Sequence, residues 1–239
     1  MLRTASALLL LLCLHAGAAE LLVNPVRVDL SPRNPASVIT LKNASEIQKV
    51  IQIQTVAWML RNGNPVEAPT EELQVSPQSV TLPPGSSQTL RAVLKRAPDA
   101  ERELSYRIYL REYVAQPKSG FSGVRIAMRT GLPVFVQAQN GAAAPKLAWT
   151  LSRPFDRSLK LALRNDGNAH VQISRFALHL PGRPKPLAEE AHPSYVLAAQ
   201  AQEWLFRIDP VQIRAGDRLR LTAQTDSGAV EAELAISVP

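Results

Sequence analysis

The sequence contains a single cysteine, Cys13, which lies in an apolar segment near the N-terminus. This segment follows Arg3, covers residues 5–14 and leads into Ala16-Gly17-Ala18-Ala19. One positive charge, a short apolar run and small residues are typical of a secretory signal peptide. We assign residues 1–19 to it, and Cys13 to the removed part, because a lipoprotein signal would place small residues before its cysteine. The exported chain would then have no disulfide, so a packed core must stabilise it.

Long apolar runs are also absent after the N-terminus, so the sequence predicts no membrane span. We expect a chain that is soluble beyond the inner membrane, in the periplasm, with full secretion as the open alternative. The net charge of +7 is compatible with nucleic-acid binding. Export and the scattered positions of the basic residues argue against that partner. The alternative is that some of these residues meet acidic groups of a protein.

Motifs for catalysis or metal binding are missing as well. The sequence has no glycine-rich phosphate loop, no nucleophile elbow and no thiol pair. His170 and His179 are nine residues apart and His192 stands alone, which does not match the ligand spacing of zinc sites. Because His170 and His179 lie in or beside apolar strands, a structural role is the ordinary interpretation. We expect no enzyme activity, no metal and no cofactor.

No segment has a convincing helical period, whereas short alternating segments with turn residues between them are frequent. About seven short strands within about 120 residues are typical of an immunoglobulin-like sandwich. Asn24-Pro25 interrupts the first strand, which suits an edge strand or one that switches sheets. The predicted strands of this region are residues 21–30, 36–43, 49–58, 73–77, 79–82, 88–94 and 105–114.

A second all-β sandwich is predicted after the small, polar segment of residues 139–145. We place the first domain at residues 20–139, a linker at 140–145 and the second domain at 146–239. Asn165-Asp166-Gly167-Asn168 is a strong turn, and the loop at 181–186 is stiffened by three prolines. The predicted strands of the second domain are residues 147–151, 159–164, 171–180, 194–197, 204–208, 218–225 and 230–238.

The alternating segment from Val124 to Arg129 follows the strand at 105–114 and the turn residues of 116–120. Val124, Ile126 and Met128 fall on one face, so the pattern predicts the second strand of a hairpin. Taken alone, this apolar row is explained by an ordinary core strand. The alternative is an edge strand whose apolar row is offered to another protein.

Several motifs resemble those of the periplasmic chaperones of the chaperone–usher pilus pathway, the PapD-like family. The opening strand around Arg27 resembles the family's first strand, and Pro83-Pro84-Gly85 resembles one of its turns. Residues 106–112, ending in Leu110-Arg111-Glu112, are similar to the family's Tyr-x-x-x-Leu-Arg-Glu strand. The turn at 165–168 looks like the family's Asn-x-(Gly/Thr)-x turn. The resemblance covers residues 21–239 and lies in the order and spacing of motifs that are individually weak.

The resemblance implies two immunoglobulin-like domains and a chaperone that lends its last first-domain strand to an incomplete pilus subunit, by β-strand addition. The lent side chains would be Val124, Ile126 and Met128. It implies pilus subunits and an outer-membrane usher as partners, and a periplasmic location. The different class that competes with this interpretation is a structural or adhesive cell-surface protein with two sandwich domains.

The resemblance also implies that two basic residues hold the subunit's terminal carboxylate. Arg27 matches the first, on the opening strand. The family's lysine falls at Pro133, which has neither a charge nor a backbone donor. Arg129 has the strand parity of Pro133 but lies four residues away, about 13 Å along a strand. Arg111 is the other candidate.

A charge cluster couples the two domains in the family. Glu103 and Asp226 resemble its two acidic members, and Gln137 stands where its arginine would be. Without that arginine, the two carboxylates should couple the domains less strongly or recruit another cation. The alternative interpretation is that both are ordinary surface acids.

Overall fold

The computed structural model describes residues 21–61, 64–113, 127–141, 143–209, 213–214 and 216–237. The predicted signal peptide, Val124 and Ile126 lie outside these residues. Within them the chain forms eighteen strands, β1 to β18. No helix in this part of the chain has the length and hydropathy needed to cross a membrane.

The first ten strands form two sheets that enclose one apolar core. One sheet has the order β1-β3-β8-β6; the other has the order β2-β10-β9-β4-β5, with β7 also paired to β4. The strands are β1 Leu21–Asn24, β2 Val28–Leu30, β3 Ala36–Asn43, β4 Lys49–Arg61, β5 Asn64–Pro69, β6 Leu73–Ser76, β7 Ser79–Leu82, β8 Ser87–Leu94, β9 Leu104–Tyr113 and β10 Arg129–Val136.

The remaining strands form one connected sheet of order β14-β13-β17-β18-β11-β12-β16, with β15 also paired to β13. It surrounds a second, separate core. The strands are β11 Leu147–Ser152, β12 Ser158–Asn165, β13 Val171–His179, β14 Ala188–Glu190, β15 Ser194–Val196, β16 Ala201–Arg207, β17 Arg218–Thr225 and β18 Gly228–Ser237.

The prediction of two tandem immunoglobulin-like sandwiches is confirmed. The chain switches sheets at Asn24-Pro25, because β1 and β2 on either side of it belong to different sheets. Strand β5 was not predicted, since Pro65 and Pro69 weaken its strand signal. The predicted linker, residues 140–145, lies between the last strand of the first domain and β11; its exact bounds stay a prediction.

Of the strand predicted from Val124 to Arg129, the structure describes Ala127, Met128 and Arg129. Within the described residues it begins at Arg129 and continues to Val136, and Ala127 and Met128 precede it. It pairs antiparallel with β9 from Arg129 opposite Arg111 to Val136 opposite Leu104. The alternation of buried and accessible residues continues past Arg129, but Gly131 and Pro133 are not typical strand residues, so the sequence pattern does not indicate it.

Candidate functional site

One edge of β10 is unpaired over most of the strand. Strand β9 covers its other side along the whole length, whereas β2 pairs in parallel only with Val134, Phe135 and Val136. Residues 129–133 therefore have no strand partner on this side among the residues that the structure describes. We call this segment the open edge. Its backbone groups are available to a strand from another chain.

The core row of β10 points toward the interior of the first domain. Leu132, Val134 and Val136 are 0–2% exposed. Met128 has the same parity, but 58% of it is exposed. Its carbonyl still accepts a hydrogen bond of 2.9 Å from the Glu112 N–H. The apolar row thus continues beyond the strand as an exposed side chain, and Val124 and Ile126, of the same parity, lie outside the described residues.

The opposite row of β10 faces the space between the two domains, which we call the cleft. Phe135 is 2% exposed and packs with Trp58 of β4 and with Leu197 and Tyr195 of the second domain. Further along the strand, Pro133 is half-buried and Arg129 is exposed. The second domain therefore covers this face at one end and leaves it accessible next to the open edge.

Arg27 lies at the inner end of the open edge. It precedes Val28, which pairs with Val134, so Arg27 is level with Pro133. Its guanidinium forms ion pairs of 3.0 Å with Asp29 and with Asp226 of the second domain. Burial disfavours the charged form, but the two carboxylates outweigh it and raise the pKa of Arg27. Arg27 is thus a fixed cation that also connects the domains, rather than an isolated exposed arginine.

Arg129 and Arg111 lie opposite each other at the outer end of the same face. The Arg129 guanidinium carbon is 3.4 Å from the centre of the Tyr109 ring. Gly131, opposite Tyr109, permits this arrangement, because a Cβ there would lie 2.9 Å from a ring carbon. Both arginines are four residues from the level of Pro133 and Arg27, about 13 Å along the strand.

Arg107 is a basic residue beside Pro133 that the sequence analysis does not identify as a candidate. It lies directly opposite Pro133 on β9, on the cleft face, two strands from Arg27. Its guanidinium carbon lies 3.7 Å above the Trp58 ring, and it forms a 2.6 Å ion pair with Glu67. Alternation relates Arg107 to Arg111, but only the strand register shows that it is the neighbour of Pro133.

Glu67 keeps this cation in place. Tyr109 donates its hydroxyl to the same carboxylate oxygen at 2.5 Å. Burial would raise the pKa of Glu67, but the hydrogen bonds from Tyr109 and Arg107 and the charge of Arg107 lower it. The carboxylate is therefore ionised at neutral pH and orients Arg107 across the sheet. Arg107 keeps further N–H donors, since a guanidinium carries five.

His170 occupies the interdomain charge cluster in which an arginine was missing. Its Nδ1 is 2.7 Å from the Glu103 carboxylate, and its Nε2 is 3.5 Å from that of Asp226. The ring stacks on Phe135 with a centroid distance of 3.4 Å. Across the domain boundary, Glu103 thus contacts His170, which is a cation when protonated, and Asp226 contacts the cation Arg27. Sequence reasoning treated His170 as a structural histidine and missed this role.

The charges in this cluster support one another. Burial would lower the pKa of His170, but the neighbouring carboxylates of Asp226 and Glu103 outweigh it and raise the pKa. Burial would likewise raise the pKa of Asp226, and His170, the Gln172 N–H and Arg27 lower it. Gln137 is exposed and lines a groove of about 350 Å³ together with Asp29 and Glu103.

A family model described as "Pili and flagellar-assembly chaperone, PapD N-terminal domain" matches residues 20–141, slightly more than half of the chain. Sequence comparison with curated proteins finds no match. The family match covers the open edge, Arg27 and Arg107.

Solved structures with the same fold include the CsuC–CsuE chaperone–tip adhesion subunit pre-assembly complex of Acinetobacter baumannii. The match has 23% identity and a TM-score of 0.63, and covers 92% of this chain and 100% of that one. The CupB2 chaperone of Pseudomonas aeruginosa has 17% identity, a TM-score of 0.57 and coverage of 90% and 100%. The complex of SafA pilin with the SafB chaperone of Salmonella enterica has 12% identity, a TM-score of 0.59 and coverage of 90% and 97%.

Proposed function

Because the chain belongs to the family of pili and flagellar-assembly chaperones, we propose that it holds pilus subunits in the periplasm by adding its β10 edge to an incomplete subunit sandwich. The observation that carries this proposal is the open edge, residues 129–133, which continues outward to the exposed Met128. β-Strand addition, the mode known from chaperone–pilin complexes, takes affinity from main-chain hydrogen bonds and specificity from alternating side chains.

The apolar side chains that enter the subunit are Met128 and, further along the same row, Ile126 and Val124. Met128 is already exposed in the free chain, so inserting it into an apolar groove removes apolar surface from water. Burying one such side chain contributes about 1.5–3 kcal/mol. The row that forms the core of the chaperone at Leu132 thereby continues into the core of its partner.

The end of the open edge suggests where the subunit's chain terminates. A strand that runs parallel to β10 along residues 129–133 meets β2, which already occupies the next positions. Its C-terminal end would lie beside Pro133, with Arg27 on one side and Arg107 on the other. We propose that these two arginines hold the terminal carboxylate. Arg129 and Arg111 lie at the far end, where they would contact the subunit strand earlier in its course.

Delivery of the subunit to an outer-membrane usher completes the proposed function, and export by the signal peptide at residues 1–19 would bring the chaperone to the periplasm. The test is co-expression with a pilin-like subunit from the same genome. We expect the subunit to be recovered from the periplasm in a one-to-one complex with the chaperone, and to be degraded without it. A subunit that accumulates equally well alone, with no complex on purification, would contradict the proposal and favour a structural or adhesive protein.

A further inference from the structure

A cavity of about 500 Å³ lies at the end of the second domain that is remote from the first. Strand β13 begins next to His170 at the domain interface and ends at His179, which lines the cavity. Strand β17 runs the other way, from Arg218 at the cavity to its last residue beside Asp226. At about 3.3 Å per residue, the cavity is roughly 25 Å from the interface. It is thus separate from the open edge and the cleft.

The charges around this cavity are mostly positive. Arg183, Arg218 and Arg220 line it together with one acid, Glu233. Arg220 lies between His179 and Glu233 in a cross-strand row. Arg218 is 3.5 Å from Glu233, in an exposed pair that contributes little. Within the described part of the chain, Arg183 and Arg220 form no ion pair, so two guanidinium groups are available to a ligand.

The loop that carries Arg183 has a defined turn. The Arg183 N–H donates to the Leu180 carbonyl at 3.2 Å, and Gly182 has a φ of 73°. With Pro181 before that glycine, this is the pattern of a type II turn. Pro184 follows and restricts the backbone of the residue before it, Arg183. The backbone of Arg183 is therefore ordered before any ligand arrives, which reduces the entropy lost on binding.

The other lining residues indicate what kind of anion fits. Leu180, Pro181 and Pro184 give the cavity an apolar wall beside its arginines. His179 adds a buried Nδ1 that has no hydrogen-bond partner among the residues the structure describes. An inorganic anion would use the guanidinium groups but not the wall. A peptide that alternates carboxylates with apolar side chains uses both, because Arg binds carboxylate through paired N–H donors.

We propose that this cavity, the distal basic pocket, binds an acidic peptide segment of a partner protein. Carboxylates of the segment are held by Arg183 and Arg220, and an adjacent apolar side chain lies against Leu180 and the two prolines. Because the pocket is at the far end of the second domain, it stays accessible while the first domain carries its own ligand. A partner can therefore recognise the loaded protein through a surface that the cargo does not cover.

The test uses the full mature chain and a fluorescently labelled peptide of alternating aspartate and leucine, with the asparagine–leucine peptide as its neutral match. Arg183→Ala combined with Arg220→Ala should weaken binding of the acidic peptide about tenfold or more, as expected for lost charge-assisted pairs. Arg33→Ala combined with Arg91→Ala removes the same net charge from exposed arginines of the first domain that form no ion pair with another described residue. This control pair should change binding less than about twofold.

Glu233→Gln provides a variant with the opposite expected effect on binding of the acidic peptide. It removes the one acid of the pocket and should tighten binding of the acidic peptide, while leaving the neutral peptide unaffected. Equal losses of peptide affinity in the Arg183/Arg220 and Arg33/Arg91 double variants would overturn the proposal. They would indicate that the peptide is attracted to the net charge alone. Binding of inorganic phosphate or of phosphatidylglycerol vesicles, without binding of the peptide, would overturn it in favour of a phosphate ligand. Circular dichroism melting of each variant confirms that the second domain is folded.

Discussion

The two domains share a buried asparagine that bonds several backbone carbonyls, but they differ in how their two sheet layers are connected. In each domain a fully buried asparagine ends a strand, Asn43 in the first and Asn165 in the second. Each side-chain amide donates to the carbonyl four residues on, at 2.7 Å and 2.8 Å respectively. Each also reaches two consecutive carbonyls of a distant segment, those of Leu82 and Pro83 or those of Val196 and Leu197.

The difference lies at the edges. In the second domain β18 pairs with β17 and also, in parallel, with β11, so the two layers form one connected sheet. In the first domain the described strands form two separate sheets, and the edge of β10 is left unpaired at residues 129–133. Strand β18 is paired with β11 only at Ile236 and Ser237, so among the described residues both domains end in a strand with a partly unpaired edge. The open edge of the first domain is distinguished by the cations that border it, Arg27, Arg107 and Arg129.

The largest loss of stability is expected from replacing the buried asparagine of either domain. Asn43→Ala and Asn165→Ala each remove the hydrogen bonds from a buried side-chain amide to three carbonyl groups, at a cost of about 1 kcal/mol for each bond. Each variant should lose about 3 kcal/mol of unfolding free energy in its own domain. Trp149 and Trp204 pack on the core of the second domain, so their fluorescence in urea reports on that domain, and circular dichroism in urea follows both domains together. A loss below about 1 kcal/mol in one domain only would break the comparison.

The next effect concerns the cations beside Pro133. Arg107→Ala should weaken subunit binding by about 2–5 kcal/mol, because a desolvated carboxylate would lose one of its partners. Arg111→Ala, at the outer end of the same strand face, is the matched control and should have a smaller effect. The measurement is the dissociation constant of the purified complex, by titration calorimetry.

Arg27→Ala should have a comparable effect on binding, and it should also loosen the domains, since Arg27 pairs with Asp226. The double variant with Arg107→Ala should lose less than the sum of the single losses, because residues that act on one group are not additive. Additive losses, or a larger loss in Arg111→Ala than in Arg107→Ala, would remove Arg107 from the site.

The smallest effect is a pH dependence of the coupling between the domains. The pKa of His170 is raised above its ordinary value, so its charged form stabilises the folded state below about pH 6.5. This contribution is lost as the pH rises through the raised pKa. The difference in melting temperature between the wild type and His170→Gln should therefore be larger at about pH 6 than at about pH 9.

His192→Gln is the control for that experiment, because His192 pairs with Glu190 while its side chain is 94% exposed. It should show almost no difference between the two pH values. A His170→Gln difference that is constant with pH would indicate that stacking on Phe135, rather than charge, holds the ring. The contribution of Asp226 to stability depends on pH in the opposite direction, since its pKa is lowered and the contribution is lost in acid.

The sequence predicted the sandwich class and most strands because alternation and turn residues are local properties. The strands of the second domain and the turn after Asn165 are examples. Strand β5 is not predicted because Pro65 and Pro69 weaken its strand pattern. For the same reason the sequence does not indicate the role of Glu67, which lies on β5 and orients Arg107. The part played by Arg107 depends on the register between β9 and β10, which alternation does not determine. His170 reaches Glu103 only because two domains meet, and no pattern within one strand indicates that contact.

The central claim, that the apolar row at the end of β10 enters a partner while the rest of the fold does not, is tested most directly by comparing Met128→Asp with Val38→Asp. Met128 and Val38 are both 58% exposed, but Val38 lies on β3, in the other sheet of the first domain. Both variants should melt within a few degrees of the wild type, because neither aspartate is placed in the core. Only Met128→Asp should lose co-purification with the subunit, since an apolar groove cannot solvate a carboxylate. Equal binding by both variants, or an unfolded Met128→Asp protein, would contradict the claim.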